Sequence, residues 1–77
     1  MIAQEDLRPI LSANIARLRK EKGLTQVQLA AKCGISEVMI NRIEKAKSSP
    51  GSELLYTIAD ALGVETDKLR QLPIDIG

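Results

Sequence analysis

The side chains that could do chemistry in this chain are cations and hydrogen-bonding groups rather than nucleophiles. Histidine is absent, Cys33 is the only cysteine, and there is no glycine-rich phosphate loop. Nucleophilic catalysis needs a nucleophile with a base beside it, and zinc needs clustered Cys and His. The sequence supplies neither, so it predicts no enzyme, no catalytic residue, no metal site and no cofactor. Cys33 stands on an apolar helical face beside Gly34 and reads as a small core residue; without a second cysteine it cannot form an intramolecular disulfide. The cations are unevenly spread. The formal net charge is only +1, but Arg17 to Lys47 holds eight basic residues against three acidic ones, a net +5. From Ser48 onward two basic residues face five acidic ones, and residues 1–16 sum to −1. A basic middle segment in a near-neutral chain suits an anionic polymer, although solvated surface charge can cluster in the same way.

Those cations need a rigid scaffold, and the apolar pattern supplies helices. No period-2 alternation is long enough for a sheet, whereas the helical period recurs along the chain. Five helices are expected, at about 7–22, 26–33, 37–45, 52–62 and 66–72. Asp6 can cap the first, Pro9 is tolerated in its first turn, and Leu11, Ile15 and Leu18 form its apolar stripe. Gly23 ends it. Thr25 caps the second helix, with Gln28 at the capping-box distance, and Leu29, Ala30 and Cys33 face inward. Ser36 caps the third, with Ile40 and Ile43 inward and Met39 flanking. Ser52 caps the fourth, which carries Leu55, Ile58, Ala59 and Leu62 and ends at Gly63. Thr66 caps the fifth, with Leu69 and Leu72, and Pro73 follows. Seventy-seven residues make one all-α domain near the lower size limit for a self-sufficient core. With no apolar leader and no run of membrane-span length, a soluble cytoplasmic protein with a reduced Cys33 is expected, outside any membrane.

The stretch from Gln26 to Lys45 is the most constrained. Ala30, Gly34, Ile35, Ile40 and Ile43 stand four, eight, nine, fourteen and seventeen residues after Gln26. Ala30 is small where two crossing helices come closest, and Gly34 accepts the positive φ of a tight turn. The isoleucines point to a shared core. This is the spacing of a helix-turn-helix unit. The segments IARLRKEKGLTQVQLA, CGISEVMINRIEK and SSPGSELLYTIADALGV together resemble the lambda-repressor-like, or Cro/CI-type (XRE), helix-turn-helix domains of bacteria and phages. The resemblance covers roughly Ala13 to Leu72. It implies a compact five-helix bundle that binds double-stranded DNA sequence-specifically, commonly as a dimer, to control transcription. Two departures stand out. Lys45 and Ala46 replace a frequent Asn-Gly, so the third helix is expected to run on by a residue or two. Val27 and Val38 stand where polar residues are commoner.

The resemblance also implies roles. The third helix enters the major groove with Glu37, Val38, Asn41 and Arg42 outward. Arg42 suits guanine O6 and N7, Glu37 cytosine N4, and Val38 a thymine methyl. Against these stand plainer readings: a solvated arginine, a first-turn carboxylate favoured by the helix dipole, and peripheral core packing. Gln26, Ser36, Lys45, Lys47 and Ser48 are the phosphate-contacting candidates, Gln26 at a helix N-terminus that favours anions. Arg19 and Glu44 match positions that form a partly buried ion pair between the first and third helices.

One small domain buries little DNA surface, and two-fold symmetry matches palindromic half-sites, so a homodimer on a palindromic operator is expected. Its interface is placed on the apolar residues Leu69, Leu72, Ile74 and Ile76; the alternative is that Leu69 and Leu72 close the monomer core. No small-molecule ligand is implied. The most concrete reading is a transcriptional regulator of repressor type. The alternative is a protein-interaction module or antitoxin component on the same scaffold.

Overall fold

The computed structural model describes residues 8–72. It holds five helices and no strand among these residues: α1 (Arg8–Glu21), α2 (Gln26–Cys33), α3 (Glu37–Glu44), α4 (Ser52–Leu62) and α5 (Thr66–Arg70). Leu7, Asp6 and the residues from Pro73 onward lie outside the described part, and with them the expected Asp6 cap and the interface candidates Ile74 and Ile76. No described helix is long and apolar enough to cross a membrane.

Local chemistry explains most of the boundaries. The Thr25 hydroxyl accepts from the Gln28 N–H at 3.0 Å, while Gln28 Oε1 accepts from the Thr25 N–H at 2.9 Å, a complete capping box for α2. Ser36 Oγ accepts from the Met39 N–H at 3.1 Å and caps α3. The caps expected of Ser52 and Thr66 are not formed. Each helix begins one residue earlier in hydrogen bonding, at extended Gly51 and Glu65, and neither end has a side-chain cap. The Gly51 carbonyl accepts from Leu55 and that of Glu65 from Lys68, so Ser52 and Thr66 are already inside the helices.

The C-termini show a second rule. α1, α2 and α4 are each followed by a glycine with φ of 74–75°. At α2, the Gly34 N–H reaches the Ala31 carbonyl and the Ile35 N–H the Ala30 carbonyl, the paired bonds of a Schellman closure. At α3 the same bonds form, from Ala46 to Ile43 (3.0 Å) and from Lys47 to Arg42 (2.8 Å), yet the left-handed residue is Ala46 at φ 60°. The expected continuation of α3 past this point therefore does not occur. The helix stops at Glu44 because two satisfied carbonyls outweigh the cost of Ala in this region, on the order of 1–2 kcal/mol.

The core joins all five helices. Leu11, Ile15 and Leu18 of α1 meet Leu29 and Ala30 of α2, Ile40 and Ile43 of α3, Leu55, Ile58, Ala59 and Leu62 of α4, and Leu69 of α5. Cys33, Ile35 and Leu24 pack at its edge. The interface expectation for Leu69 is corrected here: its side chain is 0% exposed within the monomer. Leu72 does not join it and is 56% exposed. α5 stops at Arg70, short of Leu72, because Gln71 turns to extended backbone. That turn brings the carbonyls of Leu69 and Gln71 onto one amide, Asn14 Nδ2, at 2.6 and 2.8 Å. Pro73 also disfavours helical geometry at the residue before it.

Candidate nucleic-acid interface

α2 and α3 pack together, with Ala30 buried in the shared core and Gly34 supplying the turn. Nothing stands within 4 Å of a Cβ placed on Gly34, so its φ of 74° rather than crowding is what excludes a side chain. Ile40 and Ile43 are buried, which commits one face of α3 inward. The opposite face is open. Glu37, Val38 and Arg42 are exposed, Val38 at 67%. Asn41 is half-buried between the two faces. Gln26, Glu37, Val38 and Asn41 line one shallow cleft of about 200 Å³ between the start of α2 and the outer side of α3. Ser36, Lys45 and Lys47 lie exposed at the two ends of α3, and Ser48 is half-buried.

A chain of polar contacts fixes this face. Arg19 Nε donates to Glu44 Oε2 at 2.7 Å, and Arg19 Nη2 to Glu44 Oε1 at 3.1 Å, a two-pronged ion pair from α1 to the end of α3. Both side chains are largely buried, 11% and 6% exposed. Arg19 Nη1 also donates to the Leu24 carbonyl at 2.7 Å, which ties in the α1–α2 turn. Glu44 Oε1 accepts again from Gln26 Nε2 at 2.9 Å, and Gln26 Oε1 accepts from Asn41 Nδ2 at 3.3 Å. One carboxylate thus gathers donors from α1 and α2, and the series ends on Asn41. A buried carboxylate is tolerable under these conditions, with charge compensated and its oxygens used.

Two of the phosphate candidates have partners within the chain. The Gln26 amide braces α3 through Glu44 and Asn41, and its NH2 group carries a second N–H beside those of the first turn of α2. Ser48 Oγ accepts from Arg42 Nε at 3.3 Å, so this hydroxyl is placed on a side chain. Asn14 is a further anchoring residue that the sequence reading misses, although it stands three residues after Leu11 and one before Ile15, in line with the apolar stripe. A polar residue in that register is the signal for a buried amide with specific partners. Asn14 is 1% exposed and ties α1 to the end of α5. Cys33 is half-buried, and burial raises its thiol pKa.

A family model described as Helix-turn-helix matches residues 15–69. An HTH-type transcriptional regulator of Sinorhizobium fredii is 42% identical over 59 residues, covering 77% of each chain. The immunity repressor protein of Bacillus phage phi105 is 38% identical over 55 residues, which are 71% of this chain but 38% of the repressor. Among solved structures, a hypothetical transcription factor from Neisseria superposes with a TM-score of 0.84 at 27% identity. That match covers 95% of this chain and 86% of the other.

Proposed function

The chain belongs to the helix-turn-helix family of transcriptional regulators, and from that membership we propose that it binds duplex DNA sequence-specifically with α3 in the major groove. The observation that carries this reading is the division of α3. Its inward residues are fully buried, its outward residues Glu37, Val38 and Arg42 are exposed, and its crossing with α2 is held by the Arg19–Glu44–Gln26–Asn41 series. Base reading falls to Glu37, Val38 and Arg42, with Asn41 behind them. Phosphate contacts fall to Ser36, Lys45 and Lys47, and to the first turn of α2 at Gln26.

The protein acts as a dimer on a palindromic operator, because one domain of this size covers too little DNA for tight specific binding. Since Leu69 is committed to the core, the dimer contact is assigned to Leu72 together with Ile74 and Ile76. The mode proposed is repression, by occupying a promoter in the cytoplasm; one relative is named as a phage immunity repressor. Selection from a library of random duplexes tests the whole reading, since it returns half-site sequence, spacing and symmetry at once. Arg42→Ala should then relax preference at one base pair per half-site by about 1–3 kcal/mol, whereas Lys47→Ala should weaken all duplexes alike.

A second reading is favoured by the exposed Val27 and Val38, 55% and 67% accessible: the α2–α3 face binds protein instead of DNA. Salt separates the two. Phosphate contacts lose affinity steeply as salt rises, and absence of binding to any duplex at low salt would leave the protein-binding module standing.

A further inference from the structure

The Schellman closure after α3 has an effect beyond ending the helix. Ala46 turns the chain back, its N–H bonded to the Ile43 carbonyl and the Lys47 N–H to the Arg42 carbonyl. The next residue, Ser48, is thereby carried alongside Arg42, and its hydroxyl accepts from Arg42 Nε. Arginine can address a guanine in two ways. It can use its side edge, Nε with one terminal nitrogen, or its end, the two terminal nitrogens together. A partner on Nε removes the first option and holds the guanidinium plane for the second.

We propose that Ser48 is a positioning residue for base recognition: its hydroxyl fixes the Arg42 guanidinium so that the terminal nitrogen pair is presented to a guanine. Ser48 acts on Arg42 and not on phosphate. This rests on the reading of Arg42 as a base contact. A freely rotating arginine loses more side-chain freedom on binding, so anchoring one nitrogen beforehand sharpens discrimination without adding a contact to DNA.

The test uses the full chain and a duplex recovered by selection, with its single-base-pair variants and a random duplex as competitors. Ser48→Ala should lower discrimination at the base pair read by Arg42 by roughly three- to tenfold, the range one lost hydrogen bond allows. Affinity for the random duplex and the melting temperature should stay unchanged. Ser48→Thr, which keeps the hydroxyl, should restore the discrimination. In an Arg42→Ala background Ser48→Ala should have no further effect on base preference. If Ser48→Ala weakens every duplex alike, or still does so in the Arg42→Ala background, Ser48 is a phosphate contact and the proposal is wrong. Unaltered discrimination in Ser48→Ala overturns it equally. If Arg42→Ala itself leaves base preference intact, the base-reading role fails first and takes the positioning role with it, an outcome distinct from failure at Ser48 alone.

Discussion

The helix pairs α2–α3 and α4–α5 are of similar size but are held to the rest of the domain by different forces. Both N-termini of the first pair are capped by hydroxyls, Thr25 and Ser36. Neither N-terminus of the second pair has a side-chain cap. The first pair is tied to α1 and to itself by directional bonds through Arg19, Glu44, Gln26 and Asn41. The second is held by buried Leu55, Ile58, Leu62 and Leu69, with Asn14 the polar tie from α1 to α5 among the described residues. Apolar burial is non-directional and tolerates small shifts, whereas a charge-assisted bond fixes distance and angle. A face proposed to match a DNA groove needs the second kind of constraint; a pair that only closes the core needs the first.

Three substitutions probe this contrast. The largest effect belongs to Arg19→Met, which strands a buried carboxylate and should cost about 3–5 kcal/mol in urea unfolding. Adding Glu44→Leu should recover much of that loss. If the single variant unfolds at the same urea concentration as the parent, the α2–α3 face is not held by the pair. Next comes Asn14→Leu. It leaves the Leu69 carbonyl unsatisfied and should cost about 1–3 kcal/mol. Amide exchange should quicken in α5 beyond the global loss and keep pace with it in α2 and α3; equal quickening in both pairs would erase the distinction between them. The smallest effect, and the only gain, is Ala46→Gly. It relieves the left-handed strain at the end of α3 and should stabilise by about 1 kcal/mol, seen as a raised melting temperature. A loss instead would mean that Ala46 is not strained at φ 60°.

Features that depend on a few neighbouring residues could be read directly from the chain. The Thr25–Gln28 capping box, the Ser36 cap, the glycine after α2 and the apolar stripe of α1 all follow from spacings of four residues or fewer. The core face of α3 was equally legible, and with it, by subtraction, the exposed face of Glu37, Val38 and Arg42. The misplaced caps at Ser52 and Thr66 show where local reading fails. A hydroxyl near a helix start can stand at the first helical position as well as at the cap, and only the backbone path selects between them.

The sequence by itself determined that this protein is five helices around a helix-turn-helix, because helix propensity, capping and apolar period are local properties of the chain. Tertiary structure decided what those helices do with their polar groups. Asn14 meets Leu69 across 55 residues, and Arg19 meets Glu44 across 25, a pair that the family resemblance implied and the structure forms. No local rule relates residues so far apart. Tertiary structure also sent Leu69 into the core and engaged the Gln26 amide with α3. Each of these depends on where a distant donor, acceptor or cavity comes to rest, and that is settled only when the helices pack together.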